Sequence, residues 1–250
     1  TPLNEQDLKT MSEAVEVLRQ FKGFSYFTEM SDIINRLEDH VASARMKTTP
    51  IIDFEKNESL KGLDYLDTIY HAIVNEHPIQ LKYRSFKARS ANSFIFYPYL
   101  LKEYRNRWFV YGVRGNGRIL QNLALDRIQS LEVLPQEHYI KNTFFDPNTF
   151  FDDLVGVTKN TGSVAEKVGF KVAAAEAPYI ITKPIHRSQQ VMERLADGSV
   201  ILEIEVVINH ELERVFFRYA EGIQVLYPKT LVELMGRKLK KAAEQYTHSK

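Results

Sequence analysis

The sequence predicts an α+β protein: leading helices, then a small, strongly bent sheet or barrel, then a second α+β unit of ferredoxin-like order. Two observations carry this. Five short segments rich in aromatic and β-branched residues crowd between Ile79 and Leu134 behind a single helix. From Val164 onward, strand and helix patterns follow the order βαββαβ. Length agrees, because 250 residues exceed one ordinary core of about 100–150 residues and favour two compact units.

In chain order, Asn4 can cap a helix carrying Leu8, Met11, Val15 and Leu18 on one face, with Gly23 after its end. A second amphipathic helix runs from about Thr28 through Met30, Ile33, Ile34, Leu37 and Val41. Two such helices cannot enclose a core, so residues 1–62 are expected to form a helical linker and dimerisation region. Residues Arg45 to Lys61, interrupted by Pro50, show no sustained period.

A unit over 63–140 opens with a short helix (Leu66, Ile69, Tyr70, Ile73, Val74) that stops before Pro78. Strands are expected at Ile79–Phe86, Ser93–Leu101, Arg107–Val113, Arg118–Leu125 and Ile128–Leu134, with a tight hairpin at Gly115-Asn116-Gly117. A turn-rich connector fills 141–163. In 164–250, strands are expected at Val164–Ala173, His186–Leu195, Val200–Ile208 and Ile223–Leu226, with helices at Glu176–Ile181 and Glu211–Ala220. A last helix opens on a capping box, Thr230 with Glu233, and carries Leu231, Leu234, Leu239, Ala242 and Tyr246 along one face.

Charge is the most uneven property of the chain. Between Lys82 and Arg127 ten Lys and Arg stand against Glu103 and Asp126, a local excess of +8 in a chain whose net charge is +1. Such segregation concentrates anions, phosphates above all. The competing explanation is a sheet edge kept soluble by cations.

At Arg107-Trp108-Phe109-Val110 and Leu125-Asp126-Arg127-Ile128 the sequence resembles the WYL-domain transcriptional regulators of bacteria. The match takes in the helix Tyr70–Asn75, Leu81-Lys82-Tyr83, and Pro98-Tyr99-Leu100-Leu101-Lys102, in the family's order. The tail from about Val164 is similar to the family's C-terminal extension domain. The resemblance implies a winged helix at the N-terminus, a helical linker, an Sm-like or SH3-like barrel at 63–140 that senses a nucleotide or nucleic acid, and an extension domain. Phe109 and Val110 replace the Tyr and Leu of the family's name, and Phe94 and Phe96 stand where many members carry a basic or polar residue. The first 60 residues lack a recognisable winged helix, and the chain opens on Thr1, so it reads as a fragment or a processed chain.

Candidate ligand-binding residues follow from strand alternation and chemistry. Trp108 shares a face with Val110 and belongs in the core, whereas Arg107, Phe109 and Tyr111 take the other face. Arg107 offers a planar donor fork for phosphate, or a salt bridge to Asp126 or Glu103. Arg127 either joins that surface or staples two strands through Asp126. Lys102 and Arg105 are expected in the turn before the Trp108 strand, where phosphate binding and solubility are equally served. Tyr83 and Ser85 could add a stacking ring and a hydroxyl.

Enzyme signals are thin. The seven histidines lack metal-ligand spacing, and Gly115-Asn116-Gly117 lacks the lysine of a phosphate-cradling loop. With no cysteine, disulfides, thiolate catalysis and Cys-based zinc sites are excluded. No catalytic residue, metal or cofactor is expected, and no apolar run approaches the roughly 20 residues that span a bilayer. The expectation is a cytoplasmic homodimer, the effector-sensing part of a regulator, binding an anionic small molecule or single-stranded nucleic acid and reaching promoter DNA only through a domain outside this chain. The rival is a stand-alone single-stranded nucleic-acid-binding module with Tyr83, Phe94 and Tyr104 as stacking platforms.

Overall fold

The computed structural model describes Asp32 and residues 61–247, apart from Asn116 and Arg118. The expected leading helices, the Arg45–Lys61 connector and the candidate dimer residues Leu8, Met11, Val15, Ile34 and Leu37 lie outside the described residues. The chain divides into two compact units, 1–142 and 143–250.

In the first unit a 3-10 turn, Leu63–Tyr65, leads into α1, Leu66–Val74. Leu66, Ile69 and Ala72 form its buried stripe. The helix ends where His77 precedes Pro78, which disfavours further helical backbone. Strands β1 (Ile79–Tyr83), β2 (Asn92–Tyr104), β3 (Arg107–Arg114), β4 (Leu120–Ala124) and β5 (Ile128–Val133) form one antiparallel sheet in the order β4-β3-β2-β1-β5. Ile79, Leu81, Phe96, Val110 and Leu123 alternate onto its inner face and meet α1, with Trp108 packed against the same core.

The sheet is open: β4 and β5 are its two edges, and no ladder joins them. It is nonetheless strongly bent, which follows from chain length alone. A flat five-stranded sheet would hold its edge strands about 19 Å apart, yet Ala124 ends β4 and Ile128 starts β5 only four residues on, a reach of about 14 Å at most. The linking residues, Leu125–Arg127, form a single 3-10 turn whose Leu125 is buried. Register shifts at Lys82/Tyr83 and at Pro98/Leu100 supply the bend. Gly112 lets β2 and β3 approach closely beside the shift at Pro98/Leu100, since a Cβ there would lie 2.1 Å from the Tyr97 carbonyl oxygen and 2.6 Å from the Phe96 ring.

In the second unit β6 (Glu166–Val172), β7 (Gln190–Arg194), β8 (Val200–Val206) and β9 (Ile223–Tyr227) are interleaved with α2 (Ala177–Thr182), α3 (His210–Tyr219) and α4 (Lys229–Thr247). The sheet order is β7-β8-β6-β9, with every neighbouring pair antiparallel. Val168, Phe170 and Val172 of β6 and Val200, Leu202, Ile204 and Val206 of β8 turn one face to Ile180, Leu212, Phe216, Leu231 and Met235 of the helices. Asn209 caps α3 by accepting from the Leu212 N–H at 2.9 Å, and its amide donates to the carbonyls of Val155 and Thr158.

Two local expectations change. The β7 strand starts at Gln190 rather than His186, because the Gln189 N–H returns to the His186 carbonyl in a turn and the Ser188 hydroxyl lies 2.8 Å from His186 Nδ1. The last helix is not opened by a Thr230–Glu233 capping box. It begins at Lys229, and the Leu231 and Val232 N–H groups donate to the Pro228 carbonyl, so Thr230 lies inside the first turn. Of its expected stripe, Leu231 is buried and Leu234 packs on the core, whereas Leu239 and Tyr246 are exposed.

Candidate ligand-binding face

The candidate face of the first unit is set by strand pairing. Tyr104 stands opposite Arg107, Lys102 opposite Phe109, and Leu100 opposite Tyr111. Paired residues share a face, and diagonal neighbours lie about 7–8 Å apart, so Lys102 and Arg107 fall on the same outer surface. The two-residue turn between these strands holds Arg105 and Asn106 at positive φ of 51° and 58°. It throws Arg105 outward, with its guanidinium 5.4 Å from the Tyr104 ring centre.

The 3-10 turn after β4 brings Asp126 and Arg127 to this surface. Arg107 Nε lies 3.1 Å from Asp126 Oδ2, and Arg127 Nε lies 3.8 Å from Asp126 Oδ1. One carboxylate therefore sits between two guanidinium groups. The Arg107 side chain is 46% exposed while that of Asp126 is 13% exposed, so the pair presents a cation outward on a largely buried acid. Asp126 Oδ1 and Arg127 Nε are both buried without a hydrogen-bond partner. Unmet hydrogen-bonding capacity of that kind costs about 1–3 kcal/mol per group.

Tyr83, at the end of β1, closes the cluster from the inside. Burial pushes its phenol up, against the opposing pull of the Arg127 charge, a backbone hydrogen bond at Ala124 and a hydrogen bond with Arg127. Tyr83 is thus a neutral hydroxyl beside a cation at neutral pH. On its other side Arg127 stacks over Phe86, 4.5 Å from the ring centre. A second stack, Arg114 over Phe94 at 4.1 Å, occurs in the same sheet.

The structure brings Tyr83, Arg107 and Arg127 together around Asp126, and sheet geometry places Lys102 beside them. Ser85 is half-buried in the loop after β1, where its carbonyl accepts from the Ala88 N–H at 3.0 Å. Arg105 stands off at the hairpin tip. Tyr111 is only 2% exposed, so its ring belongs to packing and does not reach solvent. Two residues had no place among the sequence candidates. Asp126 entered only as a salt-bridge partner, and Phe86 did not enter, although it is the one large apolar residue in Arg84-Ser85-Phe86-Lys87-Ala88-Arg89.

Among the described residues no group of three or more His, Asp or Glu could hold a metal ion, and no helix is long and apolar enough to cross a membrane.

Comparison with known proteins agrees with this division of the chain. Residues 64–133 match the WYL domain, and residues 165–243 match the WCX domain. None of the curated proteins matches the chain. Among solved structures it is similar to proteasome accessory factor B/C (PafBC) of Arthrobacter aurescens, at 16% identity and a TM-score of 0.30, covering 77% of this chain and 28% of that one. It is also similar to a CRISPR Cas-related protein, at 10% identity and a TM-score of 0.48, covering 99% of this chain and 88% of that one. The chain thus spans under a third of the length of the PafBC chain.

Proposed function

The chain belongs to the WYL-domain family of transcriptional regulators, and from that premise we propose that it is the effector-sensing part of such a regulator, binding an anionic nucleotide or single-stranded nucleic acid on the basic face of the first unit. The observation that carries the reading is the pairing of Arg107 and Arg127 on Asp126 beside Tyr83, within a segment of ten cations and two acids. Guanidinium forks match phosphate oxygens two at a time, and Lys102 and Arg105 extend the positive surface along the hairpin.

The first unit is read as an Sm-like or SH3-like sheet curled toward a barrel, which the four-residue step from β4 to β5 supports. The second is read as ferredoxin-like, supported by the order β9-β6-β8-β7 with antiparallel neighbours throughout. Promoter recognition falls to a winged helix elsewhere in the full regulator. The working unit is a homodimer in the cytoplasm, because regulators of this kind read two-fold symmetric sites. Ligand binding transmits to DNA through that dimer, and no catalytic step is involved.

Titrating dinucleotides and short single strands at low and moderate salt tests the reading. Affinity falls with rising salt as counterions are displaced. A panel with no binding even at low salt would remove the sensing site from this face.

A further inference from the structure

We propose that the outward face of Phe86 is a stacking subsite for a nucleobase of the ligand; this rests on the anionic-ligand reading above and specifies which part of the ligand the protein touches besides phosphate. Phe86 is 73% exposed, an unfavourable place for a large apolar ring unless something covers it. Its position is nevertheless held. The Arg84 N–H donates to the Arg127 carbonyl at 3.1 Å, and the Ala88 N–H to the Ser85 carbonyl at 3.0 Å, so Phe86 and Lys87 occupy the tip of a closed turn anchored to the 3-10 turn. The Arg127 guanidinium covers the ring from one side at 4.5 Å, which leaves the opposite side for a ligand.

The occupant follows from charge and shape. No acidic residue occurs between Glu76 and Glu103, whereas Lys82, Arg84, Lys87, Arg89 and Lys102 do. An apolar protein partner gains nothing from that surround. A flat base joined to phosphate gains from both parts, since it stacks on the ring while its phosphate meets the cations. Arg127 links the two halves, touching Phe86 on one side and approaching Asp126, the partner of Arg107, on the other. The other aromatic candidates are less available. Tyr83, Phe94 and Tyr104 are each half-buried, and Tyr83 and Phe94 pack against the core of the sheet.

The test compares a short oligothymidylate, dithymidylate and an abasic strand carrying the same phosphates as the oligomer, on the full chain at low salt. The wild type should bind the oligothymidylate about 5-fold or more tightly than the abasic strand, the size expected of one stacked base. Phe86→Ala and Phe86→Leu should lose most of that preference with abasic binding unchanged, and Phe86→Tyr should keep it. The exposed position makes misfolding a minor risk, and Phe86→Leu preserves apolar bulk without the ring. A base preference that survives in Phe86→Leu, or a wild type that binds both strands equally, overturns the subsite while leaving the phosphate reading intact. Failure to bind any of the three overturns both.

Discussion

Arg107 and Asp126 meet at 3.1 Å, one at the first residue of β3 and the other in the turn that follows β4. The Arg side is half in solvent while Asp126 is largely buried, so Arg107 compensates an acid that would otherwise face only Arg127 at 3.8 Å. The same contact fixes the direction of the Arg107 guanidinium. Arg107→Ala is expected to keep the fold at a stability loss of about 1–3 kcal/mol, because Asp126 loses its 3.1 Å partner, and to weaken an anionic ligand by about 1.5–3 kcal/mol, the range for a charge-assisted hydrogen bond. Calorimetric titration beside thermal unfolding checks this, and normal ligand affinity in the folded variant would reassign Arg107 to structure.

The Tyr227 ring packs on Gly169 in the second sheet, and its hydroxyl donates to Glu203 Oε2 at 2.7 Å. A Cβ at Gly169 would stand 2.1 Å from Tyr227 Cζ, so Gly169→Ala must displace the ring or the strand. The expected loss is about 1–3 kcal/mol, typical of overpacking. Urea unfolding measures it, and an unchanged midpoint would mean that the ring moves aside freely.

Asn209 caps α3 and also satisfies two loop carbonyls while only 7% exposed. Asn209→Ala removes all three bonds and leaves the Val155 and Thr158 carbonyls unmet. The cost should exceed a simple cap loss of about 1 kcal/mol, reaching about 2–3 kcal/mol. Asn209→Asp, which keeps the cap acceptor but not the amide donor, should fall in between, and equal losses for the two variants would show that the cap alone matters.

Tyr99 and Tyr139 pack edge to face at 6.1 Å, and the Tyr139 hydroxyl donates to the Pro98 carbonyl. Burial pushes Tyr99 up to about 12, with Tyr97 adding to the rise. Tyr139 is raised further, by burial first and then by Tyr99 and Glu76. A phenol whose folded pKa is raised holds its proton more tightly when folded, so its stabilisation is fully present below the unfolded pKa of about 10 and is lost as pH climbs through the folded value. Between about pH 10 and 12 the first unit should therefore weaken, with these two tyrosines ionising late. Absorbance titration reads their ionisation directly. Tyr139→Phe should remove its share of the alkaline loss, and unchanged late ionisation in both Tyr99→Phe and Tyr139→Phe would contradict the assignment.

Much of this protein was legible in its residues alone. The alternating apolar positions of β6 and β8 (Val168, Phe170, Val172 and Val200, Leu202, Ile204) and the i, i+3 stripe of α1 announce their elements, because period and burial are local consequences of backbone geometry. The excess of cations between 82 and 127 is legible for the same reason, since charge is additive along a chain. Tertiary structure decided the rest. That the sheet stays open between β4 and β5, that Asp126 meets both Arg107 and Arg127, and that Phe86 is held by Arg127 with one side bare all depend on where residues distant in sequence meet. Alternation assigns a residue to a face but not to solvent, which is why Tyr111 shares a face with Arg107 and is buried. Such contacts are fixed by the curl of the sheet, and the curl is set by two bulges and a three-residue turn whose effect on distant side chains no local pattern encodes.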